Sequence, residues 1–272
     1  MKAGFIGAGS MGSLLTGSFL RAGAFSPSDL TVATRTRSKA EALAERYPGL
    51  VVAPANILAA QDQELIFLCV KPLDYRSVLD DIRPALRPEQ TIISITSPVT
   101  IAQLEAIVPC KVAKVIPSIV NEACLGASLF MFGSRLAAAD REALMRLFSA
   151  ISRPVEIPEQ EVRAASDLSS CGPAFMACLL EQFIDAAAST GMDRQLATTL
   201  ACEMLFGTAH ILQSGFCSPE QLQKRVSVPG GITAAALEEL RRATDGAFLR
   251  VLQTTHEKFA EDLRKVERSL RP

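Results

Sequence analysis

Gly7-Ala8-Gly9-Ser10-Met11-Gly12 follows a short apolar run, Lys2-Ala3-Gly4-Phe5-Ile6, and precedes Leu14, Leu15, Ser18 and Phe19 at helical spacing. Strand, glycine turn and helix in that order is the setting in which G-x-G-x-x-G binds a dinucleotide. Gly7 would allow the tight turn, Gly9 the approach of backbone to a pyrophosphate, and Gly12 close packing of helix on strand. A helix opening near Met11 would turn free N–H groups and a partial positive charge toward the phosphates. Gly7, Gly9, Ser10, Met11 and Gly12 are therefore expected to bind the cofactor. The same pattern also serves as a tight turn with no ligand.

Three further stretches could carry chemistry. Thr34-Arg35-Thr36-Arg37-Ser38 closes the second strand, where NAD binders place a carboxylate for the ribose 2′-hydroxyl. Here there are two guanidiniums and three hydroxyls instead, a set matched to a 2′-phosphate. NADP(H) is expected over NAD(H), with Thr34, Arg35 and Thr36 as contacts; a solvated basic turn is the alternative. Val70-Lys71-Pro72 ends a central strand, where the crevice should open. The proline directs the chain outward, and Lys71 could meet a carboxylate or a phosphate, or be solvated. Val228-Pro229-Gly230-Gly231-Ile232-Thr233 is a second glycine turn opening a helix. Its N–H groups could hold a carboxylate, with Thr233 adding a hydroxyl, or it is a helix–helix corner.

The elements that must position these residues are legible in the apolar pattern. Leu30–Ala33, Val51–Val52, Leu65–Val70, Thr91–Ile95, Lys111–Ile116, Ser128–Phe132 and Pro154–Ile157 read as strands, with helices over Ser38–Arg46 and Ala138–Ala150. Strands alternating with helices indicate an α/β fold with a mostly parallel sheet, covered on both sides. Near Pro158 the pattern becomes helical. Phe175, Leu179, Phe183 and Ala187 form one stripe; Leu196, Leu200, Met204 and Ile211 form part of another, and both read as core. The division expected is an N-terminal Rossmann domain over 1–157 and an all-helical domain over 158–272, with the site at their junction.

Bulk properties exclude several classes. The 272 residues are 49% hydrophobic and 21% charged, enough for a sizeable core. A net charge of −1 without a long basic run argues against a nucleic-acid binder. No apolar run is long enough to span a bilayer. The first strand runs from near Met1 into the glycine turn, which leaves no room for a signal peptide. Seven cysteines without C-x-x-C read as reduced thiols, and a cytoplasmic setting is expected. His210 and His256 are the two histidines; they argue against a Ser-His-Asp hydrolase and against a His-rich metal site.

Gly7-x-Gly9-x-Met11, Val70-Lys71-Pro72, Cys171-Gly172-Pro173-Ala174-Phe175 and Pro229-Gly230-Gly231-x-Thr233, in that order, resemble pyrroline-5-carboxylate reductase, which makes L-proline with NAD(P)H. The resemblance implies a Rossmann domain, a helical domain interlocked in a homodimer, often higher oligomers, and a small cyclic imine as substrate. It also implies that Asn56 contacts the cofactor and that Gly230, Gly231 and Thr233 hold the substrate. Pro117, Ser118 and Cys171 would line the nicotinamide and substrate side, with Thr233 and Lys71 nearest the chemistry. A cyclic imine arriving protonated needs a hydride and a shaped pocket, but no strong general base.

The chain departs from the family pattern. Ile116-Pro117-Ser118-Ile119-Val120 stands for Met-Pro-Asn-Thr-Pro, and Ser169-Ser170-Cys171-Gly172-Pro173-Ala174-Phe175 for Ser-Gly-Ser-Gly-Pro-Ala-Tyr. Ser227-Val228 replaces Thr-Ser, and Ser94-Ile95-Thr96-Ser97-Pro98 replaces an Ala-Ala-Gly type of segment. Phe216 and Lys224 stand near positions where the family tends to be acidic, and Arg225 adds positive charge. A pocket with fewer carboxylates binds a cationic imine less well. These features are similar to the late-competence ComER-like branch, grouped with the reductases by fold. Two readings follow: an imine reductase of weak turnover, or a regulatory protein that keeps the cofactor site. A third, a dehydrogenase of the 6-phosphogluconate or 3-hydroxyacid kind, usually carries a lysine in the helical domain's catalytic helix, and residues 174–191 contain none.

Overall fold

The computed structural model describes residues 1–270. Its strands are β1 (Ala3–Ile6), β2 (Leu30–Ala33), β3 (Val51–Val52), β4 (Leu65–Leu68), β5 (Thr91–Ser94), β6 (Lys111–Ile116), β7 (Ala127–Phe132) and β8 (Arg153–Glu156). They form one sheet in the order β3-β2-β1-β4-β5-β6-β7-β8. All neighbours are parallel except β6 and β7. The order reverses between β1 and β4, the switch point at which open α/β sheets bind ligands.

The helices are α1 (Ser10–Arg21), α2 (Arg37–Arg46), α3 (Asn56–Ala60), α4 (Tyr75–Ile82), α5 (Ile101–Ile107), α6 (Ala138–Phe148), α7 (Val162–Ser166), α8 (Gly172–Ser189), α9 (Arg194–Gln213), α10 (Pro219–Val226), α11 (Ile232–Thr244) and α12 (Ala247–Leu270). Strands β1 and β4 are apolar throughout because the sheet is covered twice. In β4, Ile66 and Leu68 enter one core while Leu65 and Phe67 enter the other. Phe67 stacks on Phe5 with ring centroids 4.3 Å apart.

The chain forms two compact units, one of residues 1–173 with the chain from Thr255 onward, the other Ala174–Thr254. This division differs from one at 157/158. Val162, Val266 and Leu270 are buried in the same core as Ile66 and Leu68, so α7 and the end of α12 pack with the sheet.

Reading both helical stripes as core does not hold within one chain. In the second unit Ile184, Ala197 and Ala201 form the buried cluster. Leu179, Phe183, Leu196, Leu200, Met204 and Ile211 are exposed, Phe183 by 60%. Packing of α8 against α9 buries one face of each helix and leaves the rest of the apolar stripes uncovered. Among the described residues no helix is long and apolar enough to cross a membrane.

Candidate functional site

A cavity of about 550 Å³ opens at the carboxyl ends of β1, β2 and β4. Gly7, Gly9, Thr34, Arg35, Thr36, Asn56, Val70 and Lys71 line it. The glycines do different things. Gly7 has φ +105° and donates its N–H to the Ala33 carbonyl at 2.7 Å. A Cβ on Gly12 would lie 2.0 Å from the Gly7 carbonyl oxygen, so only glycine lets α1 sit this close to the turn. A Cβ on Gly9 would meet nothing within 4 Å. The fold therefore does not require glycine at position 9; a ligand approaching the backbone would. No side chain caps α1, which leaves its first N–H groups to solvent or ligand.

The floor beyond β2 is basic and hydroxylic. Arg35 is exposed into the cavity, while Arg37 is engaged with Glu41 at 2.8 Å. Lys39, on the first turn of α2, also lines the cavity. Sequence reasoning missed it, although a third basic residue in the first turn of the helix that follows Arg35 is the available signal. Asp74, Ser77 and Asp81 form part of the wall and were not expected either. No carboxylate stands at the end of β2 itself. Ser10, Met11, Gly12 and Pro72 do not line this cavity; Ser10 borders a neighbouring one of about 410 Å³ that shares Gly9 and Lys39. Burial pushes the Cys69 thiol up, so it remains protonated. The open space at Gly9, the uncapped helix and the basic β2 end fit a dinucleotide with a 2′-phosphate.

The residues after β6 meet the segment before α8. Asp167–Cys171 is a π turn, a widened turn common at functional sites. Ser170 Oγ donates to the Pro117 carbonyl at 2.8 Å, and Ser118 Oγ donates to the Ser169 carbonyl at 2.6 Å. The Asp167 carboxylate is buried and receives Arg163 at 2.8 Å and the Thr255 hydroxyl at 2.9 Å, with His256 Nε2 at 3.3 Å. Arg163 also reaches Cys171 Sγ at 3.3 Å. Within β6, the buried Lys114 ammonium donates to the Ser97 carbonyl at 2.6 Å and to Glu159 at 3.0 Å. Desolvation lowers the Lys114 pKa, and Glu159 opposes that shift.

Gly230, Gly231 and Thr233 lie in the second unit. Gly230 has φ +74°, and the Gly231 N–H closes the turn onto the Val228 carbonyl at 2.9 Å. Gly231 precedes α11, which no side chain caps. Thr233 is half-buried. Phe216 is 78% exposed, and Lys224 pairs with Glu220 at 2.6 Å.

Over 98% of its length the chain is 42% identical to ComE operon protein 4 of Bacillus subtilis, covering 98% of that protein. It is 30% identical to a pyrroline-5-carboxylate reductase of Methanosarcina acetivorans, with 96% and 97% of the two chains covered. The chain belongs to the pyrroline-5-carboxylate reductase family. Residues 159–262 match the family's dimerisation model, and residues 2–98 match a model described as NADP oxidoreductase, coenzyme F420-dependent. Among solved structures, the pyrroline carboxylate reductase of Plasmodium falciparum with NADP bound shares the fold, with a TM-score of 0.84 at 24% identity over 100% of this chain and 98% of that one. The exposed stripes on α8 and α9 fall within the region matched to dimerisation.

Proposed function

We propose that this chain is an NADPH-dependent oxidoreductase that reduces 1-pyrroline-5-carboxylate, or a closely related cyclic imine, to the saturated amine. The observation that carries this reading is the cavity at the switch point, with a glycine at position 9 that the fold does not need and a basic β2 end. Family membership over the whole chain supports the imine as substrate.

Gly7, Gly9, Ser10, Met11 and Gly12 present the turn and helix start to the pyrophosphate. Thr34, Arg35 and Thr36 take the 2′-phosphate, and Asn56, Val70 and Lys71 flank the remaining length. NADPH, when bound, supplies the hydride. The imine is protonated on nitrogen beforehand, so the residues orient and enclose rather than remove a proton. Gly230 offers its backbone N–H to the substrate carboxylate and Thr233 adds its hydroxyl, while Gly231, its N–H held by the Val228 carbonyl, shapes the turn that carries them. Lys71, Pro117 and Cys171 border the reacting end. Residues 158–272 serve substrate binding and assembly, with a homodimer burying Leu179, Phe183, Leu196 and Leu200. Light scattering tests the assembly: a dimer is expected at micromolar concentration, and a stable monomer contradicts it.

A second reading is favoured by one observation. The acidic side chains that the family resemblance would put near positions 216 and 224 are absent, and Phe216 is exposed. A regulatory protein that binds NADPH without efficient turnover has no use for them. Rescue of a proline auxotroph separates the two: growth without proline supports the reductase, and failure of a well-expressed chain to rescue supports the regulator.

A further inference from the structure

We propose that Ser118 is a positioning residue and not a substrate ligand. With Ser170 it forms a reciprocal clasp that sets the π turn 167–171 against the end of β6. The inference rests on the reductase reading for its place in the site, and on the hydrogen bonds for the clasp.

The cavity covers the carboxyl ends of β2, β1 and β4. Strands β5 and β6 continue the sheet in parallel from β4, so the residues after β6 prolong the same ligand-bearing edge. Pro117 and Ser118 are those residues, and both are buried. The two ties between this loop and the π turn run in opposite directions. Ser118 donates from its side chain to the Ser169 backbone, and Ser170 donates from its side chain to the Pro117 backbone. Neither segment can slide without breaking both.

A hydroxyl has one proton to donate. That of Ser118 is engaged at 2.6 Å, its residue has no exposed surface, and its N–H is held by Asn121 Oδ1 at 2.7 Å. Asn121 is itself fixed through Nδ2 to the Leu125 carbonyl at 2.8 Å. Ser118 therefore offers no donor to a substrate while the clasp is closed. The π turn is equally constrained from its other side. Asp167 roots its start on Arg163 and Thr255, and Arg163 reaches Cys171 at its end. The clasp joins two segments that further hydrogen bonds already fix, which is the arrangement that holds a reactive group within a fraction of an ångström of its working position.

Hydrogen–deuterium exchange and steady-state kinetics on Ser118→Ala, Ser170→Ala and the double variant test this. Exchange in residues 167–171 is expected to rise by about tenfold in each single variant, the effect of one buried hydrogen bond. With a cyclic imine, kcat falls while NADPH affinity stays at the wild-type value, and Ser170→Thr, which keeps the hydroxyl, restores both readouts. The double variant falls short of the product of the singles, because coupled residues are not additive. Wild-type exchange at 167–171 in Ser118→Ala overturns the clasp. A rise in imine KM with unchanged kcat in that variant makes Ser118 a ligand and also overturns it. Should the wild type reduce no cyclic imine, the reductase reading falls by itself and exchange alone decides the clasp. If Ser118→Ala does not fold, the half-buried Ser170→Ala carries the same test.

Discussion

Gly9→Ala and Gly12→Ala form a pair that separates ligand binding from folding within one turn. At Gly12 the new methyl carbon would lie 2.0 Å from a backbone oxygen and 3.0 Å from Cys69 Cβ. Backbone cannot give way as a flexible side chain does, so overpacking costs about 1–3 kcal/mol or more. At Gly9 the methyl carbon meets nothing within 4 Å, and φ is −74°, open to any residue. Losing glycine at a helix N-cap costs up to about 1 kcal/mol, and stiffening the unfolded chain returns about 0.4–1 kcal/mol. Stability is therefore nearly unchanged. The methyl group instead occupies the path by which a pyrophosphate reaches the N–H groups of α1. Each hydrogen bond to a charged group is worth about 1.5–3 kcal/mol, so NADPH affinity should fall roughly ten- to a hundredfold. Calorimetric titration with NADPH, alongside thermal melts, reads both effects. A Gly9→Ala variant that binds NADPH like the wild type, or that melts as early as Gly12→Ala, refutes the reasoning.

Replacing Arg35 with Ala should weaken NADPH by about 1.5–3 kcal/mol and leave NADH nearly unchanged; equal losses in a fluorescence titration remove the case for 2′-phosphate selection. Thr233→Ala should cost about tenfold or more in kcat/KM, one hydrogen bond's worth of transition-state stabilisation, and an unchanged value would mean that the substrate is held elsewhere. The Lys111 ammonium, 2.7 Å from Asp140, holds that carboxyl below the usual range. The contribution is present above the ordinary carboxylate pKa of about 4 and is lost as pH falls through the depressed one. Lys111→Met should therefore lower stability at neutral pH by up to about 1 kcal/mol, with the difference from wild type closing in acid; a gap that persists in acid points to lost packing instead.

The sheet was legible because β4, β5 and β6 are buried on both faces and stand out as apolar runs. Direction was not: β7 returns antiparallel to β6, and an apolar run looks the same either way. The glycine turn and the basic β2 end were legible because both are local. Ser118 was expected to face substrate, and nothing nearby in the sequence says that its hydroxyl meets Ser169, 51 residues away. Nor does the sequence say that the lysine inside β6 is neutralised by Glu159. The stripes on α8 and α9 read as core because periodicity reports that a face is apolar, not which chain covers it. The boundary near Pro158 marks a change in pattern, whereas packing is decided by α7, the π turn and the end of α12 returning to the sheet.

The most direct measurement is steady-state consumption of NADPH by the purified chain with 1-pyrroline-5-carboxylate, with L-proline quantified in the same reaction. A reductase loses NADPH absorbance in step with the imine and yields one proline for each NADPH oxidised, at a rate lowered by Thr233→Ala. Tight NADPH binding with no proline formed from this or any related cyclic imine contradicts it and leaves the regulatory reading.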